Sequence, residues 1–183
     1  LNTKKDHTLS EDNSKVSYTV TVNAPNGTHN QTVTITDRLA AENTANGSYD
    51  TSSIKIDGKP LSEYADAEII YNADGKGFTI TGLPPLGYNQ SYKLTYDVTV
   101  GAVTGADGSG TIVNTAKGTT STLQSKEAKD TVTVKESSIA KTGTYDAATH
   151  RINWAIKVKN SGGDLAGYKV TDTQVTQLGI VGD

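Results

Sequence analysis

The sequence predicts an all-β fold, an immunoglobulin-like β-sandwich built of tandem modules, the second of them truncated. Three observations carry this. Apolar and polar residues alternate with period two in segment after segment, as half-buried strands require. Turn-forming clusters separate those segments at short intervals. The composition leans to Thr, Val, Asn, Gly and Asp, with 18 Gly but only one Phe and one Trp, which favours strands and turns over helices. The 34% hydrophobic content is low but sufficient where only alternate residues face inward.

Each element follows in order. "KVSYTVTV" (15–22) places Val16, Tyr18, Val20 and Val22 on one face and Ser and Thr on the other. "QTVTITD" repeats this with Val33 and Ile35. Then come "SSIKI", "AEIIYN", "GFTITGL", "SYKLTYDVTV", "GTIVNTAKG" and "KDTVTVKE". Between them stand "APNG", "DGKP", "NADGKG", "LPPLG" and "GADGSG", and "NADGKG" reads as a hairpin connection. "RLAAEN" (38–43) is the one hint of a helical turn. Eight or nine short strands result.

The chain also repeats itself. Laid on "HRINWAIKVKNSGGDLAGYKVTDTQ", the segment from Val16 matches Ile152, with Tyr18 on Trp154, Val20 on Ile156 and Val22 on Val158. After a one-residue gap, Val33, Ile35 and Asp37 fall on Tyr168, Val170 and Asp172, and upstream Lys5 falls on Lys141. The expected domains are 1–136 and 137–183, the latter the N-terminal part of a second, similar unit. Trp154, alternating with Ile152 and Ile156, is expected in a core. So short a sandwich fragment buries too little surface to order itself, so pairing with the first unit or a neighbouring molecule is expected.

Much is excluded. There is no cysteine, hence no disulfide or thiol chemistry. A net charge of −3 with scattered Lys and Arg lacks the basic footprint of a nucleic-acid binder. No apolar run spans a membrane, so no membrane insertion is expected of this fragment. His7, His29 and His150 show no ligand spacing, and "NADGKG" and "GADGSG" lack the EF-hand pattern, so neither metal nor cofactor is expected. No nucleophile-elbow or phosphate-loop motif occurs, and an enzyme is not expected. Asn26, Asn30, Asn46 and Asn89 lie in N-x-S/T sequons, which a Thr-rich chain generates by chance. No leader peptide stands at Leu1, which reads as the start of a mature or excised fragment.

What remains is an anomaly of polar residues aimed inward. Asn114, in "TIVNTAKGTT", shares parity with Ile112 and Ala116. Asp37 shares it with Val33 and Ile35, and Asp172 repeats the placement. Lys141 shares a face with Ile139. A buried amide or carboxylate is costly unless paired or neutralised.

These residues carry a resemblance. "KTGTYDAATHRINWAIKVKN", "VTDT" with its twin "ITDRL", and "IVNTAKGTTS" resemble the self-crosslinking immunoglobulin-like domains of Gram-positive surface adhesins and pilins, of the collagen-adhesin A type. The resemblance implies an intramolecular isopeptide bond. Lys5 would attack Asn114, with Asp37 as catalyst, and Lys141 and Asp172 would be the second unit's counterparts. The pair "KK" leaves Lys4 as the alternative nucleophile. Desolvation lowers a lysine pKa from about 10.4 by as much as several units. A protonated carboxyl can polarise the amide and stabilise its oxyanion. The fold supplies effective molarity. Such chemistry is single-turnover. The plainer alternative has Asp37 capping the "RLAAE" turn, Asn114 bonding local backbone and Lys5 exposed on an edge strand.

The function expected is a structural stalk or adhesin module of a cell-wall-anchored, extracellular surface protein, with neighbouring modules of the same chain as partners. Two alternatives are a module binding a host extracellular matrix protein and a non-catalytic accessory domain of a secreted enzyme. No exposed aromatic cluster suited to sugar or peptide favours either.

Overall fold

The computed structural model describes residues 1–105, 108–136, 138–159 and 169–173. Ten strands occupy the first 135 residues. They are β1 (Asn2–Leu9), β2 (Lys15–Ala24), β3 (Val33–Leu39), β4 (Ala45–Ile56), β5 (Lys59–Pro60), β6 (Glu68–Tyr71), β7 (Gly77–Leu83), β8 (Gln90–Val103), β9 (Ser109–Thr119) and β10 (Ala128–Lys135). Two more, β11 (Ser138–Asp146) and β12 (Arg151–Lys159), follow. The expected all-β class holds.

Two five-stranded antiparallel sheets, ordered β1-β2-β8-β4-β5 and β10-β9-β3-β7-β6, face each other. Their inner faces are the alternating rows read from the sequence. Val16, Tyr18, Val20 and Val22 of β2 are at most 1% exposed. Tyr92, Leu94, Tyr96 and Val98 of β8 meet them in register. From the other sheet come Val33, Ile35 and Leu39 of β3, Phe78, Ile80 and Leu83 of β7, and Ile112 and Ala116 of β9. Burying such rows removes apolar surface at roughly 25 cal/mol per Å². Asp57 and Gly58, both at positive φ, close the two-residue turn joining β4 to β5, as "DG" foretells. "NADGKG" does join the β6–β7 hairpin.

"RLAAEN" is not a helical turn. Leu39 ends the inward row of β3 at 1% exposure. Leu39 N donates to Lys76 O at 2.8 Å and Ala40 N to Val113 O at 2.9 Å. Those bonds hold the backbone extended, and burial of Leu39 overrides the helix propensity of the two alanines. The one helical turn described is 3-10, at Leu61–Glu63.

Edge strand β1 is stitched across to the opposite sheet by three residues of one parity. Thr3 Oγ1 lies 2.6 Å from Ser125 Oγ and accepts from Gly118 N at 3.1 Å. Lys5 reaches Asp37 of β3, and His7 Nδ1 lies 2.6 Å from Asp130 Oδ2 of β10. Gly118 permits the two sheets to approach, because a Cβ there would stand 2.5 Å from Val22 Cγ1 of β2 and 3.3 Å from Thr3 Oγ1 of β1.

β11 and β12 pair with each other and with no strand of the two large sheets. Pairing with the first unit, one of the two expected routes to order, is thus not used by these strands. Lys141 stands opposite Ile156 as Lys5 stands opposite Val20, which keeps the register of the repeat. Trp154 is not in a core: it is 54% exposed, and Ile152, Ile156 and Val158 beside it are 39–44% exposed. Among the described residues nothing forms the facing sheet that covers Tyr18 in the first unit. Val170 and Asp172 are described but lie in no strand, and Tyr168 falls outside the described residues.

Candidate functional site

Four strands deliver four polar groups to one closed pocket. Lys5 comes from β1, Asp37 from β3, Asn114 from β9 and Tyr96 from β8. Strand parity aims each inward, and pairing sets their levels: Lys5 is opposite Val20, Val20 opposite Leu94, and Asn114 opposite Leu39. Lys5 and Tyr96 thus belong to one sheet, Asp37 and Asn114 to the other. The side chains of Lys5 and Asp37 are wholly inaccessible, Asn114 is 0% exposed and Tyr96 2%.

Lys5 Nζ donates to Asp37 Oδ2 at 2.6 Å and also to the Tyr96 hydroxyl. Tyr96 Oη donates to the same Asp37 Oδ2 at 2.5 Å, and Tyr49 Oη donates to Asp37 Oδ1 at 2.8 Å. Asn114 Nδ2 donates to Tyr96 Oη at 3.0 Å. Asn114 Oδ1 is buried without a hydrogen-bond partner, as is Tyr18 Oη. Aromatic rings wall the pocket. Lys5 Nζ lies 4.5 Å from the Tyr18 ring centre and 5.0 Å from that of Tyr96. Those two rings stack at 5.5 Å, and Phe78 meets Tyr96 edge-on at 5.4 Å.

The electrostatics follow from this enclosure. Burial pulls the Lys5 ammonium below its ordinary range, while the charge and hydrogen bond of Asp37 pull it partly back. Burial, then the Asp37 carboxylate, pushes the Tyr96 hydroxyl well up. Tyr49 and Tyr18 rise for the same leading reason. In chemical terms the pocket holds an amine inclined to neutrality, a proton acceptor in contact with it, and an amide whose carbonyl oxygen is uncompensated.

A pH dependence follows for a variant that keeps Lys5 and Asp37 but removes the amide, Asn114→Ala. With its folded-state pKa depressed, Lys5 binds fewer protons folded than unfolded between that value and about 10.4. Stability of this variant therefore rises with pH through that window and is lost as pH falls toward the depressed value. Above about pH 10 the raised tyrosines reverse the trend, because the unfolded chain then releases protons more readily. Chemical denaturation from pH 7 to 10 checks this, and a flat or falling profile refutes it.

Sequence-predicted Lys5, Asp37 and Asn114 are all brought together. The plainer alternative is not what the structure holds: Asp37 caps no turn, Lys5 is not exposed and Asn114 bonds a side chain. Lys4 points outward, 76% exposed, and pairs with Asp6 at 2.9 Å. Lys141 and Asp172 also meet, Nζ to Oδ1 at 2.6 Å, with Lys141 4.4 Å from the Trp154 ring centre. That repeats the Lys5–Asp37–Tyr18 arrangement, but in the open, the two side chains being 37% and 47% exposed. Tyr18 is in the inward row read from sequence, whereas Tyr96 and Tyr49 join the site only in the structure. Their signal was legible: Tyr96 sits inward between Leu94 and Val98, and a buried tyrosine hydroxyl demands a partner.

No protein-family profile matches the chain, and no curated protein matches it. Solved structures do. The RrgA Jo.In complex shares 13% identity over 73% of this chain and 78% of its own, at a TM-score of 0.50. A collagen-binding domain from a Staphylococcus aureus adhesin shares 13% over 74% of this chain and 98% of its own, TM-score 0.42. Domains D2 and D3 of the major pilin SpaD from Corynebacterium diphtheriae share 19% over 76% and 53%, TM-score 0.45. Neighbours of this chain are Gram-positive adhesins and pilins. At these identities the likeness is one of fold, the immunoglobulin-like sandwich.

Proposed function

We propose that residues 1–136 are a self-crosslinking module in which Lys5 and Asn114 join in an isopeptide bond, with Asp37 as proton acceptor. The supporting observation is the meeting of amine, carboxylate and amide, from opposite sheets, in one solvent-inaccessible pocket. Asp37 takes a proton from Lys5, whose free amine attacks the Asn114 carboxamide, and ammonia leaves. The product ties edge strand β1 of one sheet to β9 of the other. A sandwich pulled from its ends resists by such a tie where hydrogen bonds alone would shear.

The role that fits is a stalk or adhesin segment of an extracellular, cell-wall-anchored surface protein, holding a binding tip outward against shear and proteases. Residues from 137 on then begin a second module, whose exposed Lys141–Asp172 pair is half of the same site. Its partners are the neighbouring modules of the chain. This chemistry happens once per molecule, so the protein is not an enzyme. Among the described residues no helix is long and apolar enough to cross a membrane.

Intact mass tests the crosslink. The purified chain is expected to be lighter than its sequence by one ammonia, and a proteolytic digest to yield a branched peptide joining Lys5 to Asn114. Full mass ends the proposal. A branch at Lys4 instead would contradict the placement of Lys5.

A further inference from the structure

We infer that Tyr96 is a catalytic residue of this bond-forming reaction, relaying a proton between Asp37 and the departing nitrogen of Asn114. This deepens the crosslink reading and rests on it. The geometry is specific. The hydrogen bonds of Asp37 go to Lys5, Tyr96 and Tyr49, and none reaches Asn114. The nitrogen that attacks and the nitrogen that leaves both donate to one oxygen, Tyr96 Oη. That oxygen in turn donates to Asp37 Oδ2. A hydroxyl accepts two hydrogen bonds and donates one, so its capacity is filled by the three reacting groups and nothing else.

The protons balance through it. Lys5 first passes one proton to Asp37 Oδ2, leaving a neutral amine. Asp37, now a donor, turns its proton to Tyr96 Oη, which frees the hydroxyl proton to face Asn114 Nδ2. The amine pair forms a bond to Asn114 Cγ, and the carbonyl π pair moves to Oδ1. As the Oδ1 pair returns to restore the carbonyl, the C–Nδ2 bond breaks and its electron pair stays on nitrogen. That nitrogen takes the Tyr96 proton, and Tyr96 takes the one on Asp37. The regenerated carboxylate removes the surplus proton from the new amide nitrogen. That proton departs with ammonia as ammonium, and Tyr96 is unchanged. The well-raised Tyr96 hydroxyl suits a group that must stay protonated at rest.

The test uses the full chain made by cell-free synthesis, with intact mass followed in time. Tyr96→Phe keeps the ring stacked on Tyr18 but removes the relay, and is expected to lose ammonia at least about 100-fold more slowly than the parent. Tyr92→Phe also removes a β8 hydroxyl, one that bonds Pro84 O at 2.8 Å away from the pocket, and is expected to close at the parental rate. Closure of Tyr96→Phe at the parental rate overturns the inference. Should that variant not fold, 3-fluorotyrosine placed at position 96 alone retains ring and hydroxyl while making the hydroxyl more acidic. The rate–pH profile of closure is then expected to shift, and an unmoved profile overturns the relay. A parental chain that itself keeps full mass fails the crosslink reading, and this inference falls with it.

Discussion

Lys5→Ala is expected to lower the melting temperature of the chain by at least about 15 °C and to open it to trypsin under conditions where the parent survives. A bond from Lys5 to Asn114 closes a loop of more than 100 residues. In the chain-entropy account, such a closure restricts the unfolded ensemble by about 4–5 kcal/mol. For a unit of this size each kcal/mol moves the midpoint by about 3–4 °C. One complication has a definite sign. Removing Lys5 also takes from Asp37, whose side chain has no exposure, the N–H donor that the amide bond leaves beside it, and a buried carboxylate deprived of that hydrogen bond adds about 1.5–3 kcal/mol of destabilisation. The double variant Lys5→Ala, Asp37→Ala carries no such charge, so its loss isolates the bond. Lys5→Ala should melt lowest, the double variant between it and the parent. Parental and double-variant melting curves that coincide would sink the clamp.

Asp37→Ala is expected to keep the full sequence mass. The site then lacks the group that takes the surplus proton and passes it toward the departing nitrogen, and the loss of proton transfer slows such a step by about 10²–10⁴-fold. Asp37→Asn is the size-retaining companion. Its amide oxygen still accepts from Tyr49 at the Oδ1 position, whereas the NH2 that replaces Oδ2 neither accepts from Tyr96 nor takes a proton from an ammonium, so it too should stay uncrosslinked. Mass spectrometry of both, beside circular dichroism to show that they fold, decides the matter. A branched Lys5–Asn114 peptide from either variant would assign the proton transfer to another group.

The inward rows were legible because a strand has a period of two and its sandwich has one wet face. Val16 to Val22, Val33 to Ile35 and Ile112 to Ala116 needed no tertiary knowledge. The same parity singled out Asp37 and Asn114, since a polar side chain in an apolar row is a local contradiction visible in the string. "RLAAEN" went astray because its helix propensity is local, whereas the burial of Leu39 and the ladder bonds around it are not. Trp154 departs from expectation for the converse reason: alternation says which face a residue takes, not whether a second sheet covers that face.

What the sequence determined by itself is therefore the set of one-dimensional quantities: the period, the turns, the register of the repeat from Lys5 to Lys141, and the polar residues out of place. The three-dimensional packing adds which sheet each strand joins, that Gly118 lets β1 and β2 lie close over β9, and that Tyr96 from a fourth strand stands between Asp37 and Asn114. The reason is physical. Parity fixes the direction of a side chain within its own strand, but the distance between two side chains more than 100 residues apart depends on how two sheets pack. That packing is settled by the fit of all their inner residues at once.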